Sequence, residues 1–156
     1  MSETNSRMQP YCSRLVRLYR PFEHLSWPVV RVAAGLFMVP HGAQKLFGWF
    51  GGGGLDATIA GFDKMGFEPG WLMGPLVAGV EFFGGILIAI GLFTRPAALA
   101  AAILMFVAAM GVHLPNGFFW GKGGYEYPLL WSILCAAIAV RGARRISVDN
   151  AIGREF

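Results

Sequence analysis

Of the 156 residues, 55 % are hydrophobic and only 14 % are charged, whereas a water-soluble domain carries about 25 % charged residues. That balance excludes an ordinary soluble domain and points to one integral membrane domain whose outer surface faces lipid. The formal net charge of +4 does not indicate nucleic acid, which needs a concentrated basic face on a soluble module; here it reads as a topology signal.

The first few residues read as disordered. Tyr11 to Leu25 follows as an interfacial helix, because Leu15, Leu18, Phe22 and Leu25 recur at helical spacing. Arg14, Arg17 and Arg20 run along another face, suited to the edge of an anionic leaflet. Pro21 and Pro28 bend the chain into a first span, Trp27 to Phe47. A basic leader before an apolar stretch also suits a signal peptide, but this stretch is too long, contains Arg31, and ends in His41 and Lys45 without a small-x-small cleavage site.

Residues 48–70 read as a long outer loop that opens on the run Gly51 to Gly54. These glycines fail as a phosphate loop, since Leu55 and Asp56 follow where Lys and Ser or Thr are required, and they suit a flexible turn at the bundle mouth. Leu55, Ile59 and Phe62 mark one face of a short amphipathic helix ended by Gly66, lying on the membrane surface as a lid. Three further spans are predicted: Trp71 to Phe93, Ala97 to His113, and Tyr125 to Arg141. The last two, at about 25 Å of helix, are at the short limit. Glu126 and Pro128 open the fourth, where proline is tolerated. Phe118, Phe119 and Trp120, in the second outer loop, suit the aromatic belt.

The predicted fold class is therefore all-α: a polytopic membrane protein, a four-transmembrane-helix bundle with an amphipathic N-terminal interfacial helix. Its parts are a cytoplasmic leader, 1–26, a transmembrane domain, 27–149, and a cytoplasmic tail, 150–156. Arg14, Arg17 and Arg20 precede the first span, Arg95 sits between the second and third, and Arg141, Arg144 and Arg145 follow the fourth, which places both termini in the cytoplasm. Cys12 and Cys135 differ in depth and form no Cys-x-x-Cys pair, which removes the simplest disulfide, zinc and thiol-redox readings.

Charge inside a bilayer costs about 2.5 to 3.5 kcal/mol per group on insertion scales, which makes Arg31, His41, Lys45, Glu81, His113 and Glu126 the informative positions. Helix geometry puts His41 in the outer half with Lys45 one turn further out, and Glu81 near mid-bilayer. His113 closes the third span and Glu126 opens the fourth. The convergence predicts a polar pocket facing outward. Each group also has a plain explanation: Lys45 can snorkel, His113 and Glu126 can sit in water at loop ends, and Arg31 can reach inner headgroups. Glu81 must be protonated or paired, with Lys45, His41 or Arg31 as partner, and a structural ion pair satisfies that need as well as a catalytic role. The histidines and glutamates lack Glu-x-x-His or His-x-x-x-His spacing, so neither a metal nor a haem is predicted; no nucleotide is predicted either.

The runs "HGAQKLFGWFGGGG", "EFFGGILIAIGLFTRPAAL" and "GVHLPNGFFWGKGGYEYPLL" together resemble the DoxX family of small four-helix bacterial membrane proteins. The resemblance extends from about Pro28 to Asp149, and Arg31 and the closing "SVD" at 147–149 also fit. It implies an inner-membrane location and a redox or oxidative-stress role, since relatives include the membrane subunit of a thiosulfate:quinone oxidoreductase. It further implies a pocket for a quinone or a small reduced-sulfur anion, with electrons supplied by a soluble redox partner protein. The candidate catalytic residues are then Glu81, His41 and His113, and the candidate substrate-binding residues are Gln44, Lys45, Glu126 and Arg31. A noncatalytic membrane anchor for soluble oxidoreductases is the second reading. A small transporter is the third, and it requires repeats and broken mid-membrane helices.

Overall fold

A computed structural model describes residues 12–156; the expected disorder of the first few residues, and Tyr11, lie outside the described residues. Regular structure among the described residues is entirely helical. Helix α1 (Ser13–Tyr19) is followed by a 3-10 turn, Arg20–Phe22, and then by α2 (Glu23–Phe47), 25 residues long. The interfacial helix is thus shorter than predicted, and the first long helix begins four residues earlier than Trp27. Pro21 sits at the start of that helical turn, where its missing N–H costs no bond. Pro28, expected to bend the chain into the first span, lies inside α2 and is buried.

Residues 48–70 contain α3 (Gly54–Lys64), with Asp56, Asp63 and Lys64 exposed and Leu55, Ile59 and Phe62 partly covered, as the periodicity predicts. Gly66, at φ 82°, follows it. Helix α3 packs on the next helix rather than standing apart: Ile59 closes on Gly74, and Asp63 Oδ1 accepts from Gly70 N at 2.6 Å. That bond satisfies one of the N–H groups that every helix start leaves without an internal partner.

Helix α4 (Gly70–Gly79), a π-helical turn over Val80–Gly84 and α5 (Gly85–Ile90) form one 21-residue rod. Gly91 ends it with φ 73°, a conformation natural to glycine. Helix α6 (Thr94–Ala108) continues through a second π-helical turn, Ala109–His113, and a 3-10 turn into a 23-residue rod ending at Asn116. These two rods are long and apolar enough to cross a membrane. Helix α7 (Glu126–Arg141) has 16 residues, about 24 Å at the α-helical rise, and a short α8 (Val148–Ala151) follows.

Close approach organises the packing. Helix α2 runs antiparallel to the α4–α5 rod, with Gly35 against Gly85 and Ala89 and Gly42 against Phe82; a Cβ on either glycine would collide with backbone. Helices α6 and α7 pack against each other through Ala98, Ala101, Cys135 and Ile138, all buried, and Ser132 Oγ donates to Ala102 O at 2.9 Å. Met38 and Ile88 join the two pairs in one core. Small side chains let the backbones come together, which is the packing available where lipid supplies no hydrophobic drive between helices.

The chain after α7 folds back across one end of the bundle. Trp27 Nε1 donates to Gly142 O at 2.9 Å, and Arg31 donates to Ile146 O at 2.7 Å. Residues beyond 149 also pack on this end, through Arg95 and Glu155 at 2.9 Å and the rings of Phe93 and Phe156 at 4.3 Å.

Candidate functional site

Lys45, in the last turn of α2, donates to Glu81 Oε2 on the first π-helical turn. Helical side chains lean toward the N-terminus of their own helix, so Lys45 reaches back from the end of α2 to the depth at which Gly42 touches Phe82. The Glu81 side chain is 7 % exposed and that of Lys45 30 %. A π-helical turn inserts one residue into the helix, changes the direction in which side chains leave it, and is frequent at functional sites. The pair therefore joins a shielded carboxylate to an ammonium that still meets the surroundings.

The neighbouring glycine run holds this corner in place. Gly48, Gly51 and Gly54 have φ of 71°, 78° and 73°, and Gly52 lies so close to the Gln44 backbone that a side chain there would collide. Gln44 Nε2 donates to Phe50 O at 3.2 Å, and Thr58 Oγ1 donates to Lys45 O at 3.2 Å. Gln44 thus ties the turn shut and α3 braces the end of α2. The glycines serve a tight, defined turn rather than a loose one.

The other predicted groups do not converge. His41 is exposed on α2. His113 Nδ1 bonds Gly123 O at 2.7 Å, and Glu126 Oε2 accepts from Trp120 N at 3.2 Å. Each gives one polar atom to the backbone of the loop beside it. Arg31 is buried at the opposite end, bonded to Ile146 O and, at 3.5 Å, to Ala143 O. The five groups predicted to line one outward pocket are found as one bonded pair, two loop anchors and a surface histidine, and Arg31 anchors the tail. Among the described residues, no three His, Cys, Asp or Glu side chains stand close enough to hold a metal ion.

Asp149 is a buried carboxylate that the search for polar groups along the spans missed. Its carboxylate accepts from Phe93 N at 2.9 Å, Thr94 N at 3.1 Å and Thr94 Oγ1 at 2.8 Å. The available signal was local: Ser147 caps α8 by accepting from Asn150 N at 3.1 Å, a serine cap readable in "SVDN". On the lipid-length rods, an apolar groove of about 360 Å³ runs between Pro75, Gly79, Gly84 and Ala100, bordering the turn that carries Glu81.

Chemically, the Lys45 ammonium has two N–H donors beyond the one given to Glu81, and Glu81 can hold or release a proton. The arrangement suits an acceptor oxygen or an anion at Lys45 with a proton-exchanging group beside it. Fold and site together define an all-helical protein with two membrane-length apolar rods and a shielded Lys–Glu pair at a π-helical turn. The DoxX family profile matches residues 26–114, and the chain belongs to that family. It is 28 % identical over 121 residues to the Bacillus subtilis protein named "Putative oxidoreductase CatD", covering 78 % of this chain and 82 % of that one. Two Haemophilus influenzae proteins, each described as "Uncharacterized protein", are 30 % and 40 % identical over 78 and 79 residues, or 50 % and 48 % of this chain. The chain spans about half the length of those two, 52 % and 59 %. No solved structure matches.

Proposed function

We propose that the chain is a four-span protein of the bacterial inner membrane, with both termini cytoplasmic, that serves a redox or oxidative-stress system as a quinone-associated subunit or accessory. The spans are α2, the rods 70–90 and 94–116, and α7, between the leader and the tail. Support for four spans comes from the outer faces: Phe37, Phe83, Ile103 and Ile133, one from each, are all more than half exposed. Soluble proteins seldom leave apolar patches of that extent uncovered. The redox reading draws on the family and on the name borne by the Bacillus relative.

The observation that carries the site assignment is the Lys45–Glu81 pair. Lys45 fits a carbonyl oxygen or a reduced-sulfur anion by its donors, and the groove beside the π-helical turn fits an apolar tail. A bound quinone would supply two-electron, two-proton chemistry, with electrons from a soluble partner. Lys45 would orient the acceptor oxygen, Glu81 would exchange the proton at Oε1, the oxygen not bonded to Lys45, and the packing of α2 on the rod would keep water from the carboxylate.

Purified protein in lipid nanodiscs, assayed for quinone binding and for quinone reduction with candidate donors, tests this reading. Glu81→Gln should reduce turnover by about 100-fold or more, the scale of a lost acid–base group, while the bundle stays folded. Absence of bound quinone, together with activity indifferent to Glu81 and Lys45, would reject the site and leave the noncatalytic anchor. A purely structural pair has a different signature: Lys45→Met with Glu81→Met would keep both stability and activity, as apolar replacement of buried ion pairs often does for stability.

A further inference from the structure

The end of the bundle that gathers the start of α2 and the tail carries a second, unassigned feature. A cavity of about 730 Å³ opens there, rimmed by Arg95, Arg141, Arg144, Arg145 and Arg154. A neighbouring cavity of about 520 Å³ lies against Arg20, His24 and Trp27, and shares Arg141, Arg144 and Arg145 with the first. The walls hold three acids: Asp149 bonds Phe93 and Thr94, Glu155 pairs with Arg95, and Glu23 stands exposed at the smaller cavity. Arg144, Arg145 and Arg154 have no carboxylate partner among the described residues.

Topology alone does not require this shape. The positive-inside bias counts charges near the ends of spans and asks for no concave arrangement. Here the segment bearing the arginines is held: Gly142, Ala143 and Ile146 accept bonds from Trp27 and Arg31, and Ser147 Oγ donates to Arg144 O at 2.6 Å. Arg144 itself has φ 63°, uncommon for a residue with a side chain. A guanidinium remains charged at every physiological pH, and its planar fork matches phosphate oxygens in pairs.

We propose that these neighbouring cavities bind the headgroup of an anionic phospholipid, and that the two concavities suit a lipid with two phosphodiesters. The inference rests on the membrane placement proposed above. A lipid, rather than a free phosphate, is indicated by the apolar surface at the rim. Val140 lines the larger cavity and is 79 % exposed, and Leu18, Tyr19 and Phe22 stand exposed in the turns just before His24 and Trp27 of the smaller one. Charge inside and apolar surface at the edge match an amphiphile. Basic pockets at the cytoplasmic ends of membrane helices bind such headgroups.

Native mass spectrometry of the full chain released from detergent tests the site, with cardiolipin, phosphatidylglycerol and phosphatidylcholine added in turn and millimolar inorganic phosphate as a separate arm. Cardiolipin should be retained about tenfold or more over phosphatidylcholine, and Arg144→Gln with Arg145→Gln should abolish most of that preference. Arg17→Gln with Arg14→Gln, which remove the same charge from α1 outside both cavities, should preserve it. Equal retention of all three lipids, equal loss in the α1 variant, or displacement of cardiolipin by inorganic phosphate would overturn the proposal. The melting temperature of each variant in detergent separates lost binding from lost folding. A failure confined to this assay leaves the Lys45–Glu81 reading intact, whereas a chain that is soluble without detergent removes both.

Discussion

Two buried carboxylates, Glu81 and Asp149, meet different partners. Glu81 faces one flexible ammonium, whereas Asp149 takes three donors from a single turn, two of them backbone N–H groups. Removing Asp149 would leave those N–H groups buried without acceptors, and each such loss costs about 1 to 3 kcal/mol. Asp149→Ala should therefore destabilise the fold by about 3 kcal/mol, and Thr94→Val, which removes one hydroxyl donor, by about 1 kcal/mol. Reversible unfolding in mixed micelles measures both; an Asp149→Ala protein as stable as the parent would show that the tail contributes nothing to the bundle. Glu81→Gln should be milder, about 1 kcal/mol, because Lys45, the more exposed partner at 30 %, can turn to its surroundings. The need of Glu81 for a partner was readable from one carboxylate in an apolar run. That of Asp149 was not, because its partners lie 55 and 56 residues away and no periodicity links a tail to a distant helix start.

At the scale of elements, α3 was legible because Leu55, Ile59 and Phe62 keep a helical period between glycines, and the four long helices fall near their predicted places. The two π-helical turns were not legible. They arise where one long helix must satisfy two packing directions at once, and no residue type marks that compromise as proline marks a kink. Convergence of His113 and Glu126 on Glu81 failed for a related reason: depth along a helix was readable, but the direction of each side chain depends on loop carbonyls and N–H groups placed only by the fold. The glycines test the packing directly. Gly42→Ala forces α2 away from Phe82 and should cost about 1 to 3 kcal/mol, the usual scale of overpacking. Gly79→Ala meets open space and should be neutral or stabilising by up to about 1 kcal/mol, since glycine weakens a helix interior. The same micelle unfolding reads both, and equal effects would mean that α2 and the rod are not in contact at Gly42.

For the whole molecule, the tail contacts fix which helix ends lie together. Trp27, Arg31, Thr94 and the end of α7 meet the same 142–149 segment, so α2 and α6 start, and the α4–α5 rod and α7 finish, at one end. Lys45, α3 and the 117–125 loop then belong to the other end, each a long helix away. If all four helices cross the bilayer, a single side must receive both termini, and the opposite side must receive residues 56 and 121, which are both exposed. Cysteines provide the probe, since Cys135 is buried and Cys12 is exposed. In intact spheroplasts, an impermeant maleimide should label Asp56→Cys and Gly121→Cys in a Cys12→Ser background, and should label native Cys12 only after permeabilisation. Labelling of 56 without 121 would remove the crossing by α6, since α6 and its extension separate Arg95 from that loop. Labelling of Cys12 from outside would invert the bundle, which would turn the arginine cavities to the external face and the Lys45–Glu81 corner to the cytoplasm.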